Sequence, residues 1–373
     1  MHFPQNTTIA EVDLNNLRYN YQNIKQKVAP AQIMAVVKAN AYGHGAVPIA
    51  QCLRDQGVQY FAVARLCEAM ELIQSGIGGE ILIFGTLYDE EASFAIAHNI
   101  RITVTRAEDF VTYDRLAGAL QKVAKVHVKI DTGMGRVGLP AIQAFDLIKA
   151  SRKLKNVEIE GICTHFATAD SRDKTFAYEQ LARFNQIIKQ LRQTGITSPL
   201  IHAANSGAIL DLPETYFDMV RPGITLYGHY PSLETSESIP LRQVMSLKTR
   251  VAQIREVPGG TSISYGRLYF TKKVTRIAVL NIGYADGMPR AFSNKGQVMI
   301  KGQLFPIIGA VTMDQLMVEV GDADVKPGDE VLIWGNSPDG ILSATQVAAK
   351  AGMLIYELCC AVAPRIPRVY LNV

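Results

Sequence analysis

The chain has 373 residues, 48% hydrophobic and 19% charged, which is enough apolar material for a large core and most simply for two domains. Its formal net charge of +4 is spread without a long Lys/Arg block, which argues against nucleic acid as a partner. No apolar run is long enough for a membrane span, "MHFPQNTTIAEVDLNNL" lacks the basic and apolar regions of a signal peptide, and Cys52, Cys67, Cys163, Cys359 and Cys360 lack metal-ligand spacing, so reduced thiols in the cytoplasm are expected.

In chain order, "TTIAEVDLNNLRYNYQNIKQKV" reads as a short strand and then a helix with Leu17, Tyr21, Ile24 and Val28 on one face. Strand-like apolar runs follow at 33–37, 60–64, 80–85, 100–104, 125–130, 157–166, 200–205 and 218–223, most of them separated by helical stretches such as 90–99 and 178–195. Eight strands alternating with helices predict a (β/α)8 barrel, and the missing GxGxxG after the first strand argues against a dinucleotide-binding sheet. After about residue 240 the pattern changes to strands cut by Gly, Pro and Asp turns, closed by a helical pair near "SATQVAAKAG" and "YELCCAVAP". The expected organisation is residues 1–12 as a strand joining the C-terminal domain, 13–235 as the barrel, and 236–373 as a mostly β domain.

In a parallel barrel, chemistry gathers at the C-terminal strand ends. Those ends read Lys38, then "KIDTGMGRVG", "THFATAD", "AANSG" and "VRPGITLYG", a concentration of Lys, His, Arg, Ser, Asn and Gly. A lysine there either snorkels to solvent or, partly desolvated near other cations, offers a neutral amine able to form a Schiff base. The second reading needs an anion cradle nearby. Ser206 opening a helix and Gly223, whose N–H can approach closely, supply suitable parts for a phosphate. Lys129 lies between Val128 and Ile130, so the pleat points it away from both and into the barrel, where burial and Arg136 oppose its charge.

The segments "VVKANAYGHG", "DTGMGRVG", "THFATAD", "AANSGA", "RPGITLYG", "SYGR", "IGYADG" and "TMDQ" occur in the order found in barrel-type, pyridoxal-phosphate-dependent alanine racemases, which the chain resembles nearly end to end. The resemblance implies pyridoxal 5'-phosphate as cofactor, held as an imine on Lys38. It implies a two-base interconversion of L- and D-alanine, with Lys38 serving the D- and Tyr265 the L-enantiomer. Tyrosine's ordinary pKa near 10 calls for positive charge nearby, with His165 and Arg221 as the candidates.

By the same resemblance Arg221 faces the cofactor's ring nitrogen and His165 packs on the ring. Tyr42, Ser206, Gly223, Ile224 and Tyr356 contact the phosphate, with Asn205 beside them. Arg136 and the main chain of Met313 hold the substrate carboxylate. Lys129 is a candidate for carbamylation, and Tyr284 lines the entrance. Many members carry Arg where Ala310 stands here, a departure that bears on the charge of the entrance. Tyr265 and Met313 reach the other subunit's site in the family, so a homodimer is expected, supplying D-alanine for peptidoglycan. A broad-specificity racemase, an amino-acid decarboxylase on the same architecture and a non-catalytic cofactor carrier remain the alternatives.

Overall fold

The computed structural model describes residues 7–196 and 200–373. The first described strand, β1 (Ile9–Asp13), ends on Asp13, whose carboxylate accepts from the Asn15 N–H at 2.9 Å and caps the helix Leu14–Val28. That helix buries Leu17, Tyr21, Ile24 and Val28, the face expected from spacing, together with Asn20.

The strands β2 (Gln32–Val36), β3 (Tyr60–Val63), β4 (Glu80–Ile83), β5 (Arg101–Val104) and β6 (Ala124–Asp131) pair in parallel, each with the next. A two-residue strand, β7 (Leu139–Pro140), adds to β6, and the ring continues through β8 (Val157–Cys163), β9 (Leu200–His202) and β10 (Met219–Val220). β10 pairs back onto β2, so eight parallel strands close a barrel among the described residues. Each of the eight falls within or beside a run expected from the sequence. The runs expected at 157–166 and 218–223 end sooner, at Cys163 and Val220, because the chain leaves the ladder there to build the barrel mouth.

The barrel interior departs from the usual layers of branched apolar side chains. Val126, Val128 and Ile130 are buried on the outer face of β6, while Lys125, His127 and Lys129 alternate with them on the inner one. Arg101, Glu160 and His202 join that polar column from β5, β8 and β9.

The second domain is built on β11 (Met245–Val257). β11 pairs antiparallel with Thr275–Leu280, which pairs with Leu316–Glu319, then Gln303–Ile308, Gln297–Ile300 and Glu330–Ser337. Glu330–Ser337, which carries the fully buried Trp334, returns to β11, so six of the described strands close a smaller barrel. β1 lies antiparallel to β11 and parallel to Arg368–Leu371, so the first and last of the described strands both belong to this sheet. Asn20 ties the first helix to the segment leading into β11: its side-chain amide donates to the carbonyls of Leu226 and Arg242 and accepts from the Arg242 N–H, at 2.8–3.0 Å.

Candidate functional site

Lys38 follows β2 at the C-terminal mouth of the first barrel, on the wall of a cavity of about 460 Å³. The next four residues, Ala39, Asn40, Ala41 and Tyr42, all hold φ between 52° and 54°, one turn of left-handed helix. For non-glycine residues this costs about 1–2 kcal/mol each, so surrounding structure must enforce it. The Ala39 N–H donates to Glu68 Oε1 at 2.6 Å, and Asn40 Oδ1 accepts from the Ala46 N–H at 2.8 Å. Gly43, itself at φ 82°, leaves the turn where a Cβ would overlap the Cys359 carbonyl oxygen. The turn therefore packs against the helix Ile355–Ala361, which carries Tyr356, and brings the rings of Tyr42 and Tyr356 to 6.0 Å.

Lys38, Lys129, Arg136, His165 and Arg221 share this cavity, so four cationic side chains and one imidazole meet in one wall. Burial first, and then the Arg136 charge, lowers the pKa of Lys38. Burial brings Lys129 down to about 8, and burial followed by the Arg221 charge holds His165 well below its usual value. Arg221 is buried; its guanidinium donates to the carbonyls of Thr164 and Ala203 at 2.8 and 2.9 Å and to His202 Nδ1 at 2.8 Å, with His165 Nδ1 at 3.3 Å.

Tyr42, Asn205, Ser206, Gly223, Ile224 and Tyr356 complete the cavity's predicted residues. The Gly223 N–H donates to Ser206 Oγ at 3.0 Å, and a Cβ on Gly223 would press on the Tyr42 hydroxyl at 2.5 Å. Asn205 is the N-cap of the helix Ser206–Asp211, accepting from the Ala208 N–H at 3.1 Å, and so orients Ser206. These hydroxyls and amides, beside an excess of positive charge, make a cradle sized for a small anion.

Tyr265, Tyr284 and Met313 lie elsewhere, in a cleft of about 970 Å³ on the second domain. Tyr265 is 75% exposed, and within one chain it does not line the cavity that holds Lys38. The strand-like reading of "TSISYGRLYF" is corrected here: Ser262–Ile263 and Tyr269–Phe270 pair across a 3₁₀ turn at Tyr265–Arg267. Ser264, at φ 64° and ψ −174°, occupies a region that normally demands glycine, and its hydroxyl donates to the Ala310 carbonyl at 2.7 Å. Ala310 is buried in the cleft wall. At Gly283 a Cβ would overlap the carbonyls of Thr312 and Met313, so glycine is what lets the Tyr284 and Met313 loops touch. Arg365 bridges Asp286 at 2.7 Å and Asp314 at 2.8 Å and braces both loops.

Sequence reasoning missed the polar column under Arg221, made of His202, His127, Glu160 and Arg101. The available signal was a histidine at an inward position of two strands otherwise read as apolar. Among the described residues no group of three or more His, Cys, Asp or Glu is placed to hold a metal, and no helix is long and apolar enough to cross a membrane.

A parallel barrel with a desolvated lysine beside an anion cradle, followed by a β domain, defines the class of two-domain barrel proteins with a lysine-centred site. The family model for the alanine racemase N-terminal domain matches residues 12–231, and that for the C-terminal domain matches 244–370. An alanine racemase of Halothermothrix orenii is 43% identical over 98% of this chain and 97% of its own length. The solved alanine racemase of Clostridium difficile 630 superposes with a TM-score of 0.93 at 39% identity, over 99% of this chain and 97% of that one. The alanine racemase of Bartonella henselae, solved with covalently bound pyridoxal phosphate, gives 0.89 at 31% identity, over 98% of this chain and all of that one. The chain belongs to the alanine racemase family.

Proposed function

We propose that the protein is an alanine racemase that carries pyridoxal 5'-phosphate on Lys38 and interconverts L- and D-alanine with two bases. One observation carries this reading: a lysine amine with lowered pKa shares its cavity with the Ser206–Gly223–Tyr42 cradle and with Arg221 and Arg136. The residues fit the cofactor, since the absence of a Cβ at Gly223 lets the Tyr42 hydroxyl close in, and Tyr42, Ser206 and Tyr356 bring hydroxyls to the cavity for a phosphate. When bound, the cofactor withdraws electrons from the substrate and makes its Cα proton acidic.

The chain's own groups do the rest. Tyr42, Ser206, Gly223, Ile224 and Tyr356 hold the phosphate, and Asn205 keeps Ser206 in place. Arg221, which keeps its proton, would donate to the cofactor's ring nitrogen, and a neutral His165 would pack against the ring. Arg136, with the Met313 N–H, holds the substrate carboxylate. Lys38 removes or returns the proton on one face of Cα, and Tyr265 acts on the other.

The exposure of Tyr265, Tyr284 and Met313 on the second domain supports the family reading in which they serve the cavity of a partner subunit and the working unit is a homodimer. Tyr284 then lines the entrance, with Ala310 contributing no charge there. The buried, partly neutral Lys129 amine is suited to capture carbon dioxide as a carbamate, whose negative charge steadies Arg136. The domains divide as 1–12 with 236–373, and 13–235. The enzyme works in the cytoplasm and provides D-alanine for peptidoglycan.

The test is solvent deuterium exchange at Cα with chiral analysis across alanine, serine, lysine and arginine. Exchange with inversion confined to alanine supports the proposal. Comparable inversion of the others makes this a broad-specificity racemase. Carbon dioxide release from basic amino acids, or no exchange at all, overturns it.

A further inference from the structure

Arg221 raises a physical problem. It is a buried cation whose hydrogen-bond partners are carbonyls and imidazoles rather than a carboxylate. From Arg221, however, a continuous chain runs down the barrel interior. His202 Nε2 lies 2.8 Å from His127 Nδ1, and His127 Nε2 lies 3.4 Å from Glu160 Oε2. Glu160 accepts from Arg101 Nε at 2.9 Å and Nη2 at 3.2 Å, and from Lys125 Nζ at 3.3 Å.

We propose that His202, His127 and Glu160 form a polarised relay that holds Arg221 as a fixed hydrogen-bond donor, which makes them positioning residues for the reaction. The inference rests on the reading of Arg221 given above.

The direction of every bond follows from the two ends. A guanidinium only donates, so His202 Nδ1 must present a lone pair. The proton of a neutral His202 then sits on Nε2 and points at His127 Nδ1, which must accept. The His127 proton therefore sits on its own Nε2 and points at the Glu160 carboxylate, which only accepts when ionised. Charging either ring would set one N–H against another.

The surroundings agree with this assignment. Both rings are at most 1% exposed, and burial lowers the pKa of each. Burial opposes the charge on Glu160, but hydrogen bonds from His127 and Arg101 outweigh it and hold the carboxyl well below its usual range. At Gly161 any Cβ would overlap His127 Nδ1, so the neighbouring strand leaves room for this ring in this place. A carboxylate in direct contact would pull the guanidinium toward itself. Set two imidazoles away, the anion fixes the plane of Arg221 through His202 while leaving its remaining N–H groups to the cavity.

The experiment records histidine side-chain nitrogens by NMR on full-length protein as purified, together with kinetics of His127→Gln and His127→Leu. Neutral His127 and His202, both protonated on Nε2, are expected. A charged ring or an Nδ1–H tautomer at either position overturns the relay. In His127→Gln the new amide oxygen can still accept from His202, so this variant should keep the His202 tautomer and lose under about threefold in kcat. His127→Leu leaves the His202 Nε2–H without its acceptor while Arg221 still holds the tautomer, and should shift the His202 Nε2 resonance and cost about tenfold in kcat with little change in KM. Equal losses in the two variants, or a His202 Nε2 resonance unmoved in His127→Leu, overturn the proposal. If either variant fails to fold by circular dichroism, Glu160→Gln takes its place and should broaden or shift the His127 Nε2 resonance; no shift overturns the relay. If the wild-type protein neither binds pyridoxal phosphate nor exchanges Cα hydrogen, the proposed function fails, while the tautomers still decide the relay.

Discussion

The barrel mouth and the second-domain cleft hold complementary halves of one predicted residue set, and their environments differ in almost every respect. The mouth is dominated by cations, with Lys38 just before a strained left-handed turn and Arg221 buried. The cleft is wider, its loops are braced by the Asp286–Arg365–Asp314 bridge, and it leaves Tyr265 exposed. Tyr265 faces solvent beside Ser264, whose left-handed backbone is held by the Ala310 carbonyl. The contrast supports the proposal that one half binds and desolvates while the other serves a partner subunit.

The largest effect that would sharpen this contrast is at Lys38. Lys38→Ala should lower racemisation by about a thousandfold or more, with loss of the protein-bound cofactor absorbance, as removal of a covalent anchor and base together implies. The sharpest way to break it is to mix subunits. Lys38→Ala and Tyr265→Ala homodimers should each be inactive, whereas an equal mixture reassociated from monomers should regain about a quarter of wild-type activity, because half the dimers carry one intact site. No recovery would mean that Tyr265 acts within its own chain.

Two smaller effects concern what holds the halves in place. Asn20→Leu leaves the Leu226 and Arg242 carbonyls and the Arg242 N–H without their partner and should cost about 3 kcal/mol, measured by urea denaturation. Lys129 gives the smallest and most pH-dependent effect. Its pKa falls from 10.5 to about 8 on folding, so between those values the unfolded chain binds more protons and stability rises with pH. Below about pH 8 the amine is charged in both states and the burial penalty is complete. In buffers free of carbon dioxide, Lys129→Met should therefore stabilise the protein at about pH 7 and lose that advantage by about pH 10. With bicarbonate present, intact-protein mass should show one added carbon dioxide at Lys129, and its absence would remove the carbamate from the proposal.

The eight barrel strands were legible because a parallel strand is covered on both faces and reads as a short apolar run. Lys38, Ser206 and Gly223 were legible for the same reason, since each stands where such a run stops. The closure of the second barrel was not legible. β11 pairs with Glu330–Ser337, far along the chain, and local pattern carries no record of that partner. Nor was the turn after Lys38: nothing in Ala39, Ala41 or Tyr42 favours the left-handed region, and it is Glu68 and the packing of Gly43 that impose it. Tyr265 came from the resemblance alone, because spacing made it a strand aromatic where the structure has a 3₁₀ turn.

By itself, then, the sequence determined the order of elements, the barrel and the loops that bear its chemistry, because apolar periodicity and turn residues act over a few positions. Tertiary structure decided the rest. It placed Lys38 and Tyr265 on different faces, and it joined Arg221 to Glu160 through two histidines that sequence reading had left inside apolar strands. The physical reason is that desolvation, hydrogen-bond direction and charge coupling depend on distances through space, and the residues that make them are scattered along the chain.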